Sequence, residues 1–449
     1  MILHALYDYY QRKSADPDAH MAPPGFEWKE IPFILEIDVH GNPVQIEDTR
    51  EGDGKKKRAH AYLVPQGVKR ASDIAANLLW DNVEYLLGVD TKGKPERVAE
   101  QHRVFVARIE SLPAQALSDG GVQAVLRFLK HVDLSVLSRY AVWQEIVETN
   151  PNITFRLHGD MDLVCQRPAV VAAMKAEIGE GNADGFCLVT GENDVIERLH
   201  TAIKGVWDAQ TSGANIVSFN LDAFNSYGKT QGANAPVGRR AAFGYTTALN
   251  HLLRKDSTQR LQVGDSSTVF WADQPTELET GIVDIFGESP KDDPDRNVRA
   301  VASLYKSIDN GLIEKDEGKT RFFVLGLAPN AARIAIRFWH NTTVAEMAAR
   351  VRQHFDDLAI VRAEFDPPYP TLFRLLVSVA TQSKAENIPP NLGGELMRSV
   401  LAGLPYPQTL LAAAVRRIRA EHEVTYVRAA LIKACINRAA RYSNSNMKE

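Results

Sequence analysis

The densest group of side chains suited to chemistry in this sequence lies in the segment 226–240. It contains three glycines, two side-chain amides, three cations and one aromatic residue. Glycines permit close backbone approach, amides can hydrogen-bond base edges, and cations can meet phosphates. The composition therefore suits nucleic-acid contact, and the alternative is an ordinary surface loop. The candidates in this segment are Lys229, Gln231, Gly232, Asn234, Arg239 and Arg240.

The triplet Gly228-Lys229-Thr230 in the same segment invites comparison with a phosphate-binding loop. That motif requires its first glycine at position 223, where the chain has alanine. No glycine-rich dinucleotide fingerprint follows a predicted strand elsewhere in the sequence. The sequence thus does not favour nucleotide hydrolysis.

A second polar cluster comprises His158, Asp160 and Asp162, which follow a predicted strand. Alternate residues of an extended chain share one face, so these three could converge on a divalent ion. A strand-ending turn is the simpler explanation. Because no zinc-binding helix, nucleophile elbow or Ser/His/Asp arrangement is recognisable, we expect no catalytic residue, no metal and no cofactor.

Other cations and one amide are secondary candidates for contact with nucleic acid. Cations on a glycine-bearing loop can reach a phosphate backbone, with salt-dependent affinity. A C-terminal basic helix could follow a single strand, although a solvated helix face is its usual explanation. Asn82 could face a groove, or could simply be a polar residue in a packed helix. The cations are Lys55, Lys56, Lys57, Arg58, Lys69 and Arg70 near the N-terminus, and Arg416, Arg417 and Arg419 near the C-terminus.

The whole chain predicts a folded cytoplasmic protein. Its 449 residues are 45% apolar, which is enough for two or three domains with hydrophobic cores. The formal charge of -4 gives no global basic signature, so any nucleic-acid contact must come from local patches. The three cysteines form no CxxC pair, and no stretch is long and apolar enough for a signal peptide or a membrane span.

Hydrophobic periodicity predicts an α+β fold: a large mixed N-terminal domain with short sheets and helices, followed by an all-helical C-terminal domain. The predicted domains are 1–342 and 343–449, with sub-boundaries near residue 150 and at a polar linker, 288–296. The main predicted elements are a helix at 72–87, strands at 31–44, 153–157, 186–189, 216–219, 268–271, 322–327 and 332–339, and helices at 95–109, 241–253 and 344–358.

Seven segments of the chain form a distinctive set. They are NLLWDNVEYLLG (77–88), VSFN (217–220), AFNSYG (223–228), NAPVG (234–238), TTALNHLL (246–253), LGLAPNAARIAIRFW (325–339) and LAGLPYP (401–407). Together they resemble the large-subunit family of subtype I-C CRISPR Cascade surveillance complexes. The resemblance spans most of the chain, and the segments are specific as a set.

The resemblance implies a non-catalytic subunit of a ribonucleoprotein complex. Its expected partners are a guide CRISPR RNA, target double-stranded DNA, other Cascade backbone subunits, small subunits and a recruited helicase-nuclease. Such a subunit inspects the short motif that flanks the target and helps to open the duplex, while base pairing reads the sequence. We accordingly assign flank readout, or a strand-separating wedge, to the loop 229–234. Family members usually continue into a longer C-terminal helical bundle, so the resemblance implies a shortened bundle here.

Two rival hypotheses remain at this point. The chain could be a metal-dependent nuclease that uses His158, Asp160 and Asp162. It could also be a purely structural scaffold that holds protein partners and never touches DNA.

Overall fold

The computed structural model describes residues 1–52, 57–68, 70, 74–179, 183–219, 221–263, 265–313, 319–389 and 391–446. The fold is mixed α+β with small sheets and a helical C-terminal region, which confirms the predicted fold class. The chain divides into two compact units, one of residues 22–182 and one of residues 1–21 with the residues from 183 onward. No helix of the described residues is long and apolar enough to cross a bilayer.

The chain begins with helix α1 (Ile2–Ser14), which belongs to the second unit. The first unit, residues 22–182, contains eight strands and seven α-helices among its described residues. Its strands are β1 (Phe26–Glu30), β2 (Phe33–Ile37), β3 (Pro43–Asp48), β4 (Arg50–Glu51), β5 (Arg58–Ala59), β6 (Ala61–Pro65), β7 (Trp80–Asn82) and β8 (Asn152–Leu157). Its helices are α2 (Val83–Leu87), α3 (Pro95–Glu110), α4 (Ala114–Leu117), α5 (Gly120–Lys130), α6 (Leu134–Leu137), α7 (Trp143–Thr149) and α8 (Pro168–Gly179).

The main sheet of the first unit has the order β3-β2-β8-β7. Strand β2 pairs in parallel with β8, and the other neighbours are antiparallel. Every residue of β2 is buried, as expected for a central strand covered on both faces. The antiparallel pair of β2 and β3 confirms strand structure at 31–44, and β8 confirms the strand predicted at 153–157.

The second unit contains six further strands and eight further α-helices among its described residues, besides α1. The strands are β9 (Gly185–Phe186), β10 (Asn193–Asp194), β11 (Arg260–Val263), β12 (Ser266–Ala272), β13 (Arg321–Asn330) and β14 (Arg333–Thr343). The helices are α9 (Arg239–Leu252), α10 (Glu277–Phe286), α11 (Arg296–Asp309), α12 (Val344–Leu358), α13 (Leu372–Val379), α14 (Leu392–Ala402), α15 (Gln408–Glu421) and α16 (Tyr426–Asn446).

An antiparallel sheet of order β11-β12-β13-β14 forms the centre of the second unit. Alternate residues of β12 serve different cores, because successive side chains of a strand point to opposite faces. Val269 and Trp271 pack with α1 and α9, whereas Phe270 and Ala272 pack with the C-terminal helices. The helical region that follows residue 343 therefore covers one face of this sheet. The predicted domain division at residues 342 and 343 stays a prediction.

The predicted helix at 72–87 is wrong over most of its length. Within the described residues only 83–87 are helical, and Trp80 begins strand β7, where it pairs with Thr154. Leu79 adopts a left-handed φ of 62°, which interrupts a helix. The Trp80 indole also donates to the carbonyl of Pro65 at 2.8 Å, so distant partners outweigh the local helical periodicity.

Two predicted strands in the second unit are also wrong or shortened. Residues 216–219 form no strand, and the two residues before them, Ala214 and Asn215, make isolated bridges. Of the strand predicted at 186–189, only Phe186 lies in a strand, at the end of β9. The polar stretch predicted as a linker connects α10 to α11, where the Ser289 hydroxyl accepts from the Asn297 backbone N–H at 3.1 Å.

Candidate nucleic-acid interface

A tight turn at 226–229 projects from the glycine-bearing segment, which precedes α9. Ser226 and Lys229 pair across it, and the Lys229 backbone N–H donates to the Ser226 carbonyl at 2.9 Å. Tyr227 and Gly228 between them have φ values of 52° and 69°, the left-handed pair typical of a type I′ turn. The Tyr227 side chain at the tip is 99% exposed. The turn thus presents an aromatic ring to the surroundings.

Asn234 holds this turn together from within the segment. Its carboxamide oxygen accepts from the Ser226 backbone N–H at 3.0 Å. Its carboxamide nitrogen donates to the carbonyls of Lys229 at 3.2 Å and Gln231 at 3.1 Å. Both ends of this side chain are therefore engaged inside the loop. The predicted contact of Asn234 with a base edge stays a prediction, since it would require these bonds to open.

Gln231 and Gly232 fix the base of the turn to the chain at 197–198. The Gln231 carboxamide oxygen accepts from the Arg198 guanidinium at 2.8 Å, and the Gly232 backbone N–H donates to the Arg198 carbonyl at 3.1 Å. A Cβ atom at position 232 would lie 2.4 Å from the Glu197 carbonyl oxygen. Only glycine fits that approach, so the position of the turn depends on this residue.

The three cations of the segment differ in their ion pairs. Arg239 lies 3.8 Å from a Glu197 carboxylate oxygen, and Arg240 contacts Asp194 and Glu192 at 3.4 and 3.0 Å. The Asp194 carboxylate raises the pKa of Arg240 above its ordinary value. Lys229 is exposed and forms no ion pair with any described residue. Of the three, Lys229 is the cation most available to an incoming phosphate.

The structure covers only part of the predicted N-terminal basic group. Lys55, Lys56 and Lys69 lie outside the described residues. Lys57 lies 3.8 Å from Asp48, and Arg58 lies 2.9 Å from Glu30. Both pairs are at the protein surface, where such ion pairs are weak and can be exchanged for phosphate contacts.

Arg70 and Asn82 line a common cleft of about 300 Å³ in the first unit. Arg70 forms an ion pair with the buried Asp81 and lies 3.9 Å from the ring centre of Tyr85. The Asn82 side chain caps helix α2 by accepting from the Tyr85 backbone N–H at 3.2 Å. The other residues that line this cleft are Glu84, Tyr85, Lys92, Lys94, Arg97, Val98 and Gln101.

The other cations of this cleft are not among the residues predicted from the sequence. Three basic residues within the stretch 92–97 directly precede or begin helix α3. That density next to a helix start is a signal in the sequence. What the sequence does not show is that α2 and α3 bring this stretch to Arg70.

The C-terminal basic helix is only partly available for contact. Arg417 donates to Glu421 at 3.1 Å, and Glu421 also pairs with the buried Arg428. Arg416 and Arg419 are exposed and make no ion pair with the described residues. This surface therefore offers two unpaired cations from the three that the sequence singled out.

Two of the three residues of the cluster predicted after β8, His158 and Asp160, contact charged side chains, and Asp162 is exposed. The His158 ring nitrogen Nδ1 lies 2.5 Å from a Glu36 carboxylate oxygen, and Asp160 lies 2.5 Å from the Arg167 guanidinium. Throughout the described ranges, no three His, Cys, Asp or Glu side chains are grouped to hold a metal ion.

A family model described as CRISPR-associated protein (Cas_Csd1) matches residues 6–449. No curated protein matches the chain.

Proposed function

Because the chain belongs to the CRISPR-associated family described as Cas_Csd1, we propose that it is the large subunit of an RNA-guided DNA surveillance complex of subtype I-C. In this role it recognises the short motif flanking a DNA target, helps to open the duplex and recruits a separate helicase-nuclease. Its partners are the guide RNA, the target duplex, and the backbone and small subunits of the complex. The resemblance of the segments quoted above supports this assignment.

The exposed turn at 226–229 is the observation that carries the proposal. An aromatic side chain can stack on bases or insert between base steps, and the energy gained offsets part of the cost of unstacking. Tyr227 stands at the tip of a turn whose base is braced by Asn234 and by Gly232. These contacts fix the backbone that carries the ring, so the loop needs little reordering when it meets a duplex.

The residues of the turn and of the segment that anchors it then have distinct roles. Tyr227 is the wedge, and Lys229 contacts a phosphate beside the opened step. Gln231 supplies a carboxamide for a base edge once it leaves Arg198. Gly232 and Asn234 position the turn and do not contact bases. This differs from the sequence-based assignment, which gave Asn234 a base contact and gave Tyr227 no role.

The proposal is tested by Tyr227→Ala in the assembled complex, with binding to a duplex that bears the correct flank as the measurement. We expect binding to weaken by about 1–3 kcal/mol, the usual contribution of one stacked base and aromatic ring. Tyr227→Phe keeps the ring and should retain the affinity. Phe365→Ala is the matched control, because that residue is also an exposed aromatic, at 89%. Unchanged binding for both Tyr227→Ala and Lys229→Ala would favour a scaffold role.

We also propose that the chain itself breaks no phosphodiester bond and that cutting belongs to the recruited partner. The purified protein should leave duplex and single-stranded DNA intact in the presence of magnesium or manganese. Cleavage that disappears in Asp160→Ala would overturn this part of the proposal. The salt bridge of Asp160 to Arg167 supports it, because that pair occupies the carboxylate that the rival mechanism would use.

A further inference from the structure

The cleft between α2 and α3 has a strong excess of positive charge. Four cations and one carboxylate line it: Arg70, Lys92, Lys94, Arg97 and Glu84. Lys94 and Arg97 are exposed and form no ion pair among the described residues. Two cations one helical turn apart, with no internal partner, favour an anionic ligand.

Buried carboxylates hold the other two cations at the cleft. Glu84 is 5% exposed and lies 3.2 Å from the Lys92 ammonium. Asp81 is 1% exposed and pairs with Arg70, and burial raises the pKa of the Asp81 carboxyl while Arg70 opposes that shift. Such pairs fix side chains that would otherwise be mobile, so this wall of the cleft is formed before any ligand arrives.

The loop 90–94 is likewise held in place. The Asp90 carboxylate accepts from the Lys92 backbone N–H at 3.0 Å, and the Thr91 hydroxyl donates to Glu84 at 2.6 Å. The loop therefore presents Lys92 and Lys94 on a defined backbone. A preformed arrangement lowers the entropy that binding must offset.

Gln101 provides an observation, independent of the cations, that points to a ligand. It lines the cleft one helical turn after Arg97, yet it is only 6% exposed. Its carboxamide oxygen is buried and accepts no hydrogen bond from the described residues. A buried polar atom without a partner costs roughly 1–3 kcal/mol, so a donor beyond the described residues is expected, and a ligand in the cleft can supply it.

The size of the cleft limits what it can hold. A volume of about 300 Å³ is at the lower end of the range for small-molecule sites and is too small for a double helix. Cations at its mouth suit a phosphate, and a carboxamide suits the hydrogen-bond donors of a base or a sugar hydroxyl. Together these features match one nucleotide.

We propose that this cleft binds a single nucleotide unit, with its phosphate at Lys94 and Arg97 and a base or sugar donor at Gln101. The source is a strand of single-stranded nucleic acid or a free nucleotide, which share this chemistry. The strand source rests on the proposed function, because a guide RNA and a displaced DNA strand are the single strands that such a complex contains.

The test measures binding of the full chain to short fluorescein-labelled single-stranded RNA and DNA by anisotropy, over a series of salt concentrations. The double variant Lys94→Ala/Arg97→Ala should bind at least about tenfold more weakly, as expected when charged hydrogen bonds are removed. The slope of log affinity against log salt should also fall by about 0.7 for each phosphate that the variant no longer neutralises. Arg103→Ala is the matched control, because this arginine lies on the same helix but pairs with Glu100 and does not line the cleft.

Gln101→Met separates a ligand contact from a role in folding. The substitution removes the unpartnered oxygen and keeps a similar volume, so the midpoint of thermal unfolding should stay the same or rise. Binding should nevertheless weaken several-fold. Unchanged affinity in both the double variant and Gln101→Met would overturn the proposal, as would an equal loss of affinity in Arg103→Ala.

Competition with adenosine monophosphate distinguishes the two sources. Displacement of the labelled strand by the mononucleotide at comparable concentration identifies a free-nucleotide site, and displacement only by a strand identifies a strand site. These measurements use the isolated chain and single strands, whereas the Tyr227 experiment uses the assembled complex and a duplex with its flank. Failure of one can therefore be told from failure of the other.

Discussion

Two asparagines that the sequence suggested as DNA contacts use their side chains to hydrogen-bond the nearby backbone. Asn82 caps α2, and Asn234 braces the turn at 226–229. Short amides compete well for nearby backbone groups, which is why they are frequent at caps and turns. The residue that the folded loop leaves exposed is instead Tyr227. The function of a polar loop residue therefore depends on which of its hydrogen bonds the loop already uses.

Two glycines of this segment give a matched test of how the turn is held. Gly232→Ala should destabilise the loop strongly, because the new Cβ would lie 2.4 Å from a backbone carbonyl oxygen. Gly228→Ala meets no atom within 4 Å and has only the strain of a φ of 69°, about 1 kcal/mol. Hydrogen exchange at the backbone amides of Lys229 and Gly232 should speed up much more in Gly232→Ala. Equal effects of the two substitutions would contradict the anchoring role of Gly232.

Helices α12 and α16 show that local charge is a poor guide to an exposed basic surface. Arg438 is 3% exposed and lies 3.2 Å from the buried Asp357, which also pairs with Arg441 at 2.5 Å. Lys433 donates to the Ala359 carbonyl at 2.6 Å, just beyond the end of α12. Much of the positive charge near the C-terminus thus holds helices together, and the surplus of cations counted in the sequence overstates what a nucleic acid can reach.

Removal of the buried carboxylate between these helices should be costly. Asp357→Ala leaves Arg438 buried without its partner, and we expect the free energy of unfolding to fall by about 3–5 kcal/mol. Asp309→Ala, which removes an exposed pair with Arg352, should cost about 1 kcal/mol or less. Urea unfolding of the two variants measures both quantities. Similar losses of stability would mean that the Asp357 pair is solvated, contrary to its burial.

On the scale of the whole molecule, the second unit buries histidines that must stay neutral. Burial, with Arg438 nearby, lowers the pKa of His354 from about 6.5 to about 3. Burial likewise lowers the pKa values of His251 and His340 to about 4. The unfolded chain then binds more protons than the folded chain between these values and 6.5. Stability is therefore full above pH 6.5 and is lost as the pH falls toward 3.

His354→Leu should reduce this acid sensitivity. At pH 5 the buried neutral histidine costs about 2 kcal/mol relative to pH 7, since each pKa unit corresponds to about 1.4 kcal/mol. The difference in unfolding free energy between pH 7 and pH 5 should shrink by that amount in the variant. His131→Leu, at an exposed position, is the control. An unchanged difference in His354→Leu would show that this residue does not contribute to acid unfolding.

The sequence by itself determined those helices and strands in which the pattern of apolar residues agrees with the burial of the folded element. The predicted helix 344–358 coincides with α12, the strand predicted at 322–327 lies within β13, and the strand predicted at 332–339 coincides with β14 from Arg333 onward. In α12 and β14 the spacing of apolar residues matches the period of the element, and residues 322–327 of β13 form a continuous apolar run that is buried throughout, so local preference and burial give the same result. The resemblance of several segments also pointed to a CRISPR-associated family, and the match over 6–449 shows a family of that kind.

Only the tertiary structure decided the features that depend on distant partners. Trp80 lies in a strand because Thr154 pairs with it, although its own neighbours have a helical pattern. Gln101 lies in a basic cleft because α2 and α3 bring Arg70 to the start of α3. Tyr227 projects because Asn234 and Gly232 fix the turn beneath it. Each arrangement is set by contacts between residues far apart or by hydrogen bonds that composition cannot assign, which is why local sequence patterns do not contain it.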